Sequence, residues 1–101
     1  MTIKDMPIRI DTTKIARFCH ERGIRKMSIF GSVIHGDFDP GRSDVDVLVE
    51  LSPDAHPGLA YFAYGDDLSK IIGHKVDMCS HLNKHIENKV MDEAVTIYEQ
   101  S

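Results

Sequence analysis

Apolar positions recur along this chain with two periods, and the switches between them mark out its elements. Residues 1–10 read as a short leader in which Pro7 is followed by Ile8 and Ile10. Asp11-Thr12-Thr13 then offers side-chain oxygens that cap a helix. Ile15, Phe18 and Cys19 fit a helix of about three turns, and Gly23 is placed to stop it. Lys26 to Phe30 predicts a strand, and Ser32 to about His35 one or two helical turns. Asp37 to Arg42 predicts a loop, because Asp39-Pro40-Gly41 is turn chemistry. Val45 to Leu51, with five aliphatic residues in seven, reads as a strand buried centrally in a sheet. Past a loop over 52–58, Leu59, Phe62, Ala63, Leu68, Ile71 and Ile72 predict a helix, weakened by Gly65 and ended by Gly73. His74 to Cys79 is a third strand, with Val76 and Met78 on one face and Asp77 on the other. Leu82, Ile86, Val90, Ala94 and Ile97 recur every three or four positions, which predicts a last amphipathic helix to about Tyr98.

The order is helix, strand, short helix, strand, helix, strand, helix. It predicts an α/β (α+β) fold in which helices flank a mixed three-stranded sheet. With 101 residues and no repeat or linker, one domain over 1–101 is expected. No apolar run approaches the ~20 residues of a membrane span. Lys4, Asp5 and Arg9 leave the first ten residues without a signal-peptide core, so a cytoplasmic location is expected. The net charge of −4 opposes general affinity for nucleic acid, whose phosphates select basic surfaces. Cys19 and Cys79 stand far apart in apolar patterns and read as reduced core residues.

Candidate chemistry is concentrated between Phe30 and Leu51. The first strand ends in Gly31-Ser32, Gly36 follows, and Ser43-Asp44-Val45-Asp46 opens the second strand. Strand side chains alternate, so Asp44 and Asp46 share one face while Val45, Val47 and Val49 share the other. Two adjacent carboxylates repel, and a divalent cation removes the conflict; oxygen ligands completed by a phosphate suit Mg²⁺. The Gly31-Ser32 turn provides the phosphate site, through free backbone N–H groups and close approach at glycine. Attack on a nucleoside triphosphate needs charge neutralisation and a more acidic attacking hydroxyl. Two metal ions about 3.5–4 Å apart supply both. Asp44 and Asp46 suit bridging ligands. Asp77 suits the second ion, provided its strand lies beside Val45–Leu51.

Gly31-Ser32…Gly36…Ser43-Asp44-Val45-Asp46-Val47-Leu48-Val49 resembles the signature of the DNA polymerase β-type nucleotidyltransferase superfamily. More narrowly, the chain is similar to the minimal nucleotidyltransferases, antitoxin partners of HEPN-domain toxins, from about Ile15 to Tyr98. The resemblance implies a bare nucleotidyltransferase palm with Asp44, Asp46 and Asp77 as catalytic and metal-binding carboxylates. Gly31, Ser32 and Ser43 fall in its nucleotide- and phosphate-binding segment. It further implies Mg²⁺-dependent transfer of AMP from ATP to a tyrosine of a cognate HEPN ribonuclease toxin. Two departures stand out. Val33-Ile34-His35 occupies positions where many minimal nucleotidyltransferases carry arginine, and the loop from Gly36 to Ser43 is about one residue longer than common. Arg42 and Lys75 are candidates to replace the missing charge.

Competing readings are an antitoxin that acts by binding alone, and a small-molecule nucleotidyltransferase, which usually carries an extra helical domain. His81 and His85 have metal spacing, but no Cys or carboxylate completes a zinc site. Ser32 can cap the short helix as well as bind phosphate. Ser43 can close the turn or steady Asp44. Asp37 and Asp39 read as loop charges, and Glu50 shares the Asp46 face by parity. Tyr61, Phe62 and Tyr64 are expected to pack in the core.

Overall fold

In the computed structural model, residues 3–36, 38–39, 41–80 and 93–100 are described. Helix α1 spans Thr12–Arg22, where the Asp11 carboxylate accepts hydrogen bonds from the N–H groups of Thr13 and Lys14, both at 3.1 Å. Gly23, at φ 67°, ends it and returns its own N–H to the Cys19 carbonyl. Strand β1 (Ile24–Phe30), helix α2 (Ser32–His35) and strand β2 (Val45–Leu51) follow. Helix α3 (Tyr61–Ile72) leads to β3 (Val76–Cys79), and β4 covers Val95–Glu99.

The sheet order is β3-β2-β1-β4. β1 runs antiparallel to both β2 and β4, whereas β2 and β3 are parallel. A parallel pair needs a crossover, and α3 provides it. The mixed sheet flanked by helices is the architecture expected from sequence, with four strands in place of three. The fourth strand corrects the last predicted helix at its end. Val95, Thr96, Ile97 and Tyr98 are β-branched or aromatic, and they pair with β1 rather than completing a helical stripe. The earlier part of that stripe, with His81 and His85, lies outside the described residues.

Alternation along the strands separates the two sides of the sheet. Met27, Ile29, Val45, Val47 and Val49 are fully buried on the side covered by α1 and α3. Ile15, Phe18 and Cys19 meet them from α1, and Leu68 and Ile72 from α3. Each such apolar side chain contributes about 1.5–3 kcal/mol on burial. The leader belongs to this core as well: Ile3–Asp5 forms a 3-10 turn, and Met6 and Ile8 are buried. On the other side of the sheet, the Ser28 hydroxyl bonds to that of Thr96 at 3.4 Å. Lys26 pairs there with Glu99, and Glu50 pairs with Arg25, both at 3.6 Å.

The aromatic cluster departs in part from expectation. Tyr61 and Tyr64 pack against the core, and the Tyr64 ring meets Phe18 edge-on at 6.3 Å. Leu59 and Phe62 are instead 85% and 78% exposed. Leu59 falls in a 3-10 turn, Gly58–Ala60, whose tighter winding puts it out of phase with the helix. Tyr61, Tyr64, Leu68 and Ile72 set the inward stripe of α3, and Phe62 stands roughly 100° from Tyr61 around the axis.

Candidate active site

The parallel register of β2 and β3 sets Asp46 opposite Asp77. Ser69 fixes where β3 begins, because its hydroxyl accepts the Val76 N–H at 3.0 Å and donates to the Gly65 carbonyl at 2.8 Å. At the start of β2, the Val45 N–H donates to the Lys75 carbonyl at 2.8 Å. These bonds lock the two strand starts together. The condition placed on Asp77, that its strand lie beside Val45–Leu51, is therefore met. Asp77 is exposed, and Asp44 and Asp46 are half-buried.

On the other flank of β2, Asp46 pairs with Phe30, the last residue of β1. The chain then turns at Gly31, with φ 76° and ψ −141°, a conformation costly for any residue with a Cβ. A Cβ at Gly31 would also overlap the Asp46 carboxylate and come within 3.0 Å of its Cγ. Glycine thus brings backbone against the carboxyl group. Its carbonyl accepts the N–H groups of Ile34 and His35, both at 3.0 Å, so Gly31 caps α2 by backbone alone. Ser32 is the first residue of that helix, not its cap, and its hydroxyl makes no hydrogen bond to another described residue.

Ser43 closes the loop that delivers Asp44. Its hydroxyl accepts the Asp39 N–H at 3.0 Å, and its own N–H donates to the Asp39 carbonyl at 2.7 Å. The Asp39 carboxylate in turn accepts the Gly41 N–H at 3.0 Å. Asp39 is therefore a turn-former, and Ser43 serves the turn, its hydroxyl donating to no other described residue. Phe38 anchors the loop against His74, with ring centroids 5.4 Å apart and nearly perpendicular. Arg42 is exposed and lies 4.0 Å from Asp39. Asp37 lies outside the described residues.

Burial pushes the Asp46 carboxyl above its ordinary range, and the negative charges of Asp77 and then Asp44 push it further. All three carboxylates thus share one electrostatic neighbourhood. Among the described residues, however, no three His, Cys, Asp or Glu side chains converge into a ready-made metal cage. Carboxylates facing one another without a counterion repel. An all-oxygen set whose remaining ligands come from phosphate and water suits Mg²⁺, which rarely takes a complete cage of protein ligands. The donor chemistry and the close backbone at Gly31 fit that ion.

Two neighbours differ from the sequence reading: Cys79, expected in the core, and Glu93, which the sequence does not single out. Cys79 lies two residues past Asp77 on the same side of β3, and burial, then Asp77 and Asp46, raises its thiol pKa. It is half-buried beside the carboxylates rather than a core residue like Cys19. Parity with Asp77 was the available signal. Glu93 meets His35 of α2 at 2.8 Å, a link between distant segments that no local pattern announces.

The nucleotidyltransferase domain model matches residues 13–98. The chain belongs to the nucleotidyltransferase domain family. Its fold is that of several solved toxin–antitoxin chains. One, from a toxin-antitoxin solved with AMP-PNP, superposes with a TM-score of 0.70 at 17% identity, covering 91% of this chain and 76% of that one. A second, from an MntA-HpeT toxin-antitoxin mutant with two Asp-to-Glu replacements, gives 0.68 at 14% identity, covering 91% and 75%. A third, from an MntA-HpeT mutant with a Tyr-to-Ala replacement, gives 0.68 at 16% identity, covering 92% and 76%. No curated protein matches in sequence. The resemblance read from Gly31-Ser32 and Asp44-Val45-Asp46 is borne out at the level of the family, and this nucleotidyltransferase domain spans most of the chain.

Proposed function

We propose that this nucleotidyltransferase domain transfers a nucleoside monophosphate, AMP from ATP, to a tyrosine hydroxyl of a HEPN-domain toxin and so acts as its antitoxin. The observation that carries this reading is Asp46 opposite Asp77 in parallel register, with Asp44 two residues upstream and Gly31 against the Asp46 carboxylate. Toxin–antitoxin chains of the same fold, one solved with AMP-PNP, support the nucleotide and the partner. One of those solved mutants is altered at two aspartates two positions apart, the spacing of Asp44 and Asp46.

Asp44, Asp46 and Asp77 would hold Mg²⁺, which neutralises phosphate charge and makes the attacking hydroxyl more acidic. Gly31 lets the Asp46 carboxylate lie against the main chain, and the Ser32 hydroxyl beside it, which bonds no other described residue, is placed for a phosphate oxygen. Ser43 steadies the loop before Asp44 and has a proton to donate to a phosphate oxygen. His35 takes the place of an arginine in this segment and is engaged by Glu93. The carboxylates stand on a sheet surface, so an acceptor on a folded protein can reach them.

Intact mass of a co-purified partner, after incubation with this protein, Mg²⁺ and each nucleoside triphosphate in turn, tests the reading. A gain of one or more AMP units, absent with Asp44→Asn/Asp46→Asn, is expected. A tight complex with no gain would replace it by neutralisation through binding alone. A gain on a small molecule instead would replace the protein acceptor.

A further inference from the structure

The groove between α1 and α3 carries a charge opposite to that of the whole chain. Lys14, Arg17 and Arg22 line it from α1 and Lys70 from α3, around Phe18 and Ile71. It encloses about 360 Å³. A second hollow of about 260 Å³ shares Lys14 and Ile71 and adds Arg9. Five of the twelve Lys and Arg residues of a chain with net charge −4 are thus gathered along one groove.

Two acids, Glu21 and Asp67, also line the groove, and both are engaged by Arg22, at 3.6 and 3.4 Å. Asp11 caps α1. Arg22 lies over the Phe18 ring at 4.1 Å, which makes it part of the groove wall. Lys14, Arg17 and Lys70 are exposed and form no ion pair with another described residue.

We propose that this groove docks an acidic amphipathic helix of a protein partner. Lys14 and Arg17 are three residues apart on α1, so acids three or four apart on a docked helix can meet them in succession. Ile71, half-buried, and the aliphatic stems of Lys14, Arg17 and Lys70 supply the apolar strip that a helix-in-groove contact needs, above the buried Phe18. α1 is about 16 Å long, which accommodates roughly three turns of an occupant. A protein segment fits better than nucleic acid, because Ile71 and the lysine stems offer a helix an apolar contact, while Glu21 and Asp67 on the groove walls oppose the denser charge of a polyphosphate. None of these residues belongs to the carboxylate site, so the inference stands independently of the proposed reaction.

The probe is a labelled peptide of about fourteen residues with leucine at helical spacing and glutamate on both flanks. Its lysine counterpart and a single-stranded RNA of similar length accompany it, all titrated by fluorescence anisotropy. The acidic peptide should bind saturably and at least about tenfold more tightly than either control, and weaken as salt screens the charges. Lys14→Glu/Arg17→Glu/Lys70→Glu should weaken it by about tenfold or more while the melting temperature is kept; Lys70→Glu alone serves if the triple variant fails to fold. Tighter binding of the RNA would make the groove a nucleic-acid site and overturn the proposal. Equal binding of the lysine peptide, an unaffected folded variant, or no saturation would also overturn it.

Discussion

Gly31 and Asp46 occupy space that only a glycine and a carboxylate can share: a Cβ on the first would overlap the carboxyl group of the second. Gly31→Ala therefore meets two obstacles, the clash and a φ of 76°. Backbone strain of this kind costs about 1–3 kcal/mol. Urea denaturation should report a loss of that order, and nucleotide transfer should fall steeply because Asp46 is displaced. Gly36→Ala, also at positive φ but with nothing within 4 Å of an added Cβ, should cost less than Gly31→Ala and spare more activity.

Asp46→Asn should abolish transfer and stabilise the metal-free protein at neutral pH. The folded-state pKa of Asp46 is raised by burial, Asp77 and Asp44. Its contribution to stability is therefore complete below the unfolded carboxylate range and lost as pH rises through the folded value. The variant, which cannot ionise there, escapes that loss. Relief of facing like charges in a sheet is worth about 0.2–1 kcal/mol, or about 1–6 °C in a domain of this size. Melting curves in chelator from pH 4 to 8 should show the advantage of the variant growing with pH. Added Mg²⁺ should raise the melting temperature of the parent more than that of the variant.

Cys19 should be inert to thiol reagents until the chain unfolds. Burial, opposed only in part by Arg22, pushes its pKa up to about 12. The sign is that of Asp46: stability is intact below the unfolded thiol range, near 8.5, and declines as pH rises toward 12. Alkaline unfolding curves of Cys19→Ala should lack that component. Mass spectrometry after iodoacetamide at pH 8 should find any label on Cys79 and none on Cys19.

The fourth strand makes a prediction of its own. Ile97 is 6% exposed and joins the core, whereas its neighbour Thr96 is exposed and bonds Ser28. Ile97→Ala should cost about 2–4 kcal/mol and Thr96→Ala about 1 kcal/mol. Similar costs at both positions would contradict the alternation on which β4 rests.

Where local chemistry decided the structure, the sequence could be read closely. Asp11 and Gly23 bracket α1, and Val45, Val47 and Val49 against Asp46 define β2. Gly31-Ser32 with Asp44-Val45-Asp46 led to the family without any knowledge of pairing. Pairing itself was less visible. Ala94 and Ile97 happen to extend a helical spacing, yet Val95-Thr96-Ile97-Tyr98 carries β-branched and aromatic character that warranted more weight. Met6 and Ile8 gave too short a run to reveal that the leader enters the core. The roles of Ser69, Phe38 and Glu93 depend on residues distant in sequence or on tertiary packing, and could not be read from local pattern.

β3 has four residues and, among the described residues, no strand on its outer side. An unpaired strand edge is a template for another chain, and a charge near its middle makes that pairing costly. Asp77 occupies that position and is exposed. The carboxylate proposed for metal chemistry is thus also placed to oppose pairing at that edge. Asp77→Val would lose both, so a drop in soluble yield would accompany the drop in turnover, and Asp77→Lys would restore solubility without restoring activity.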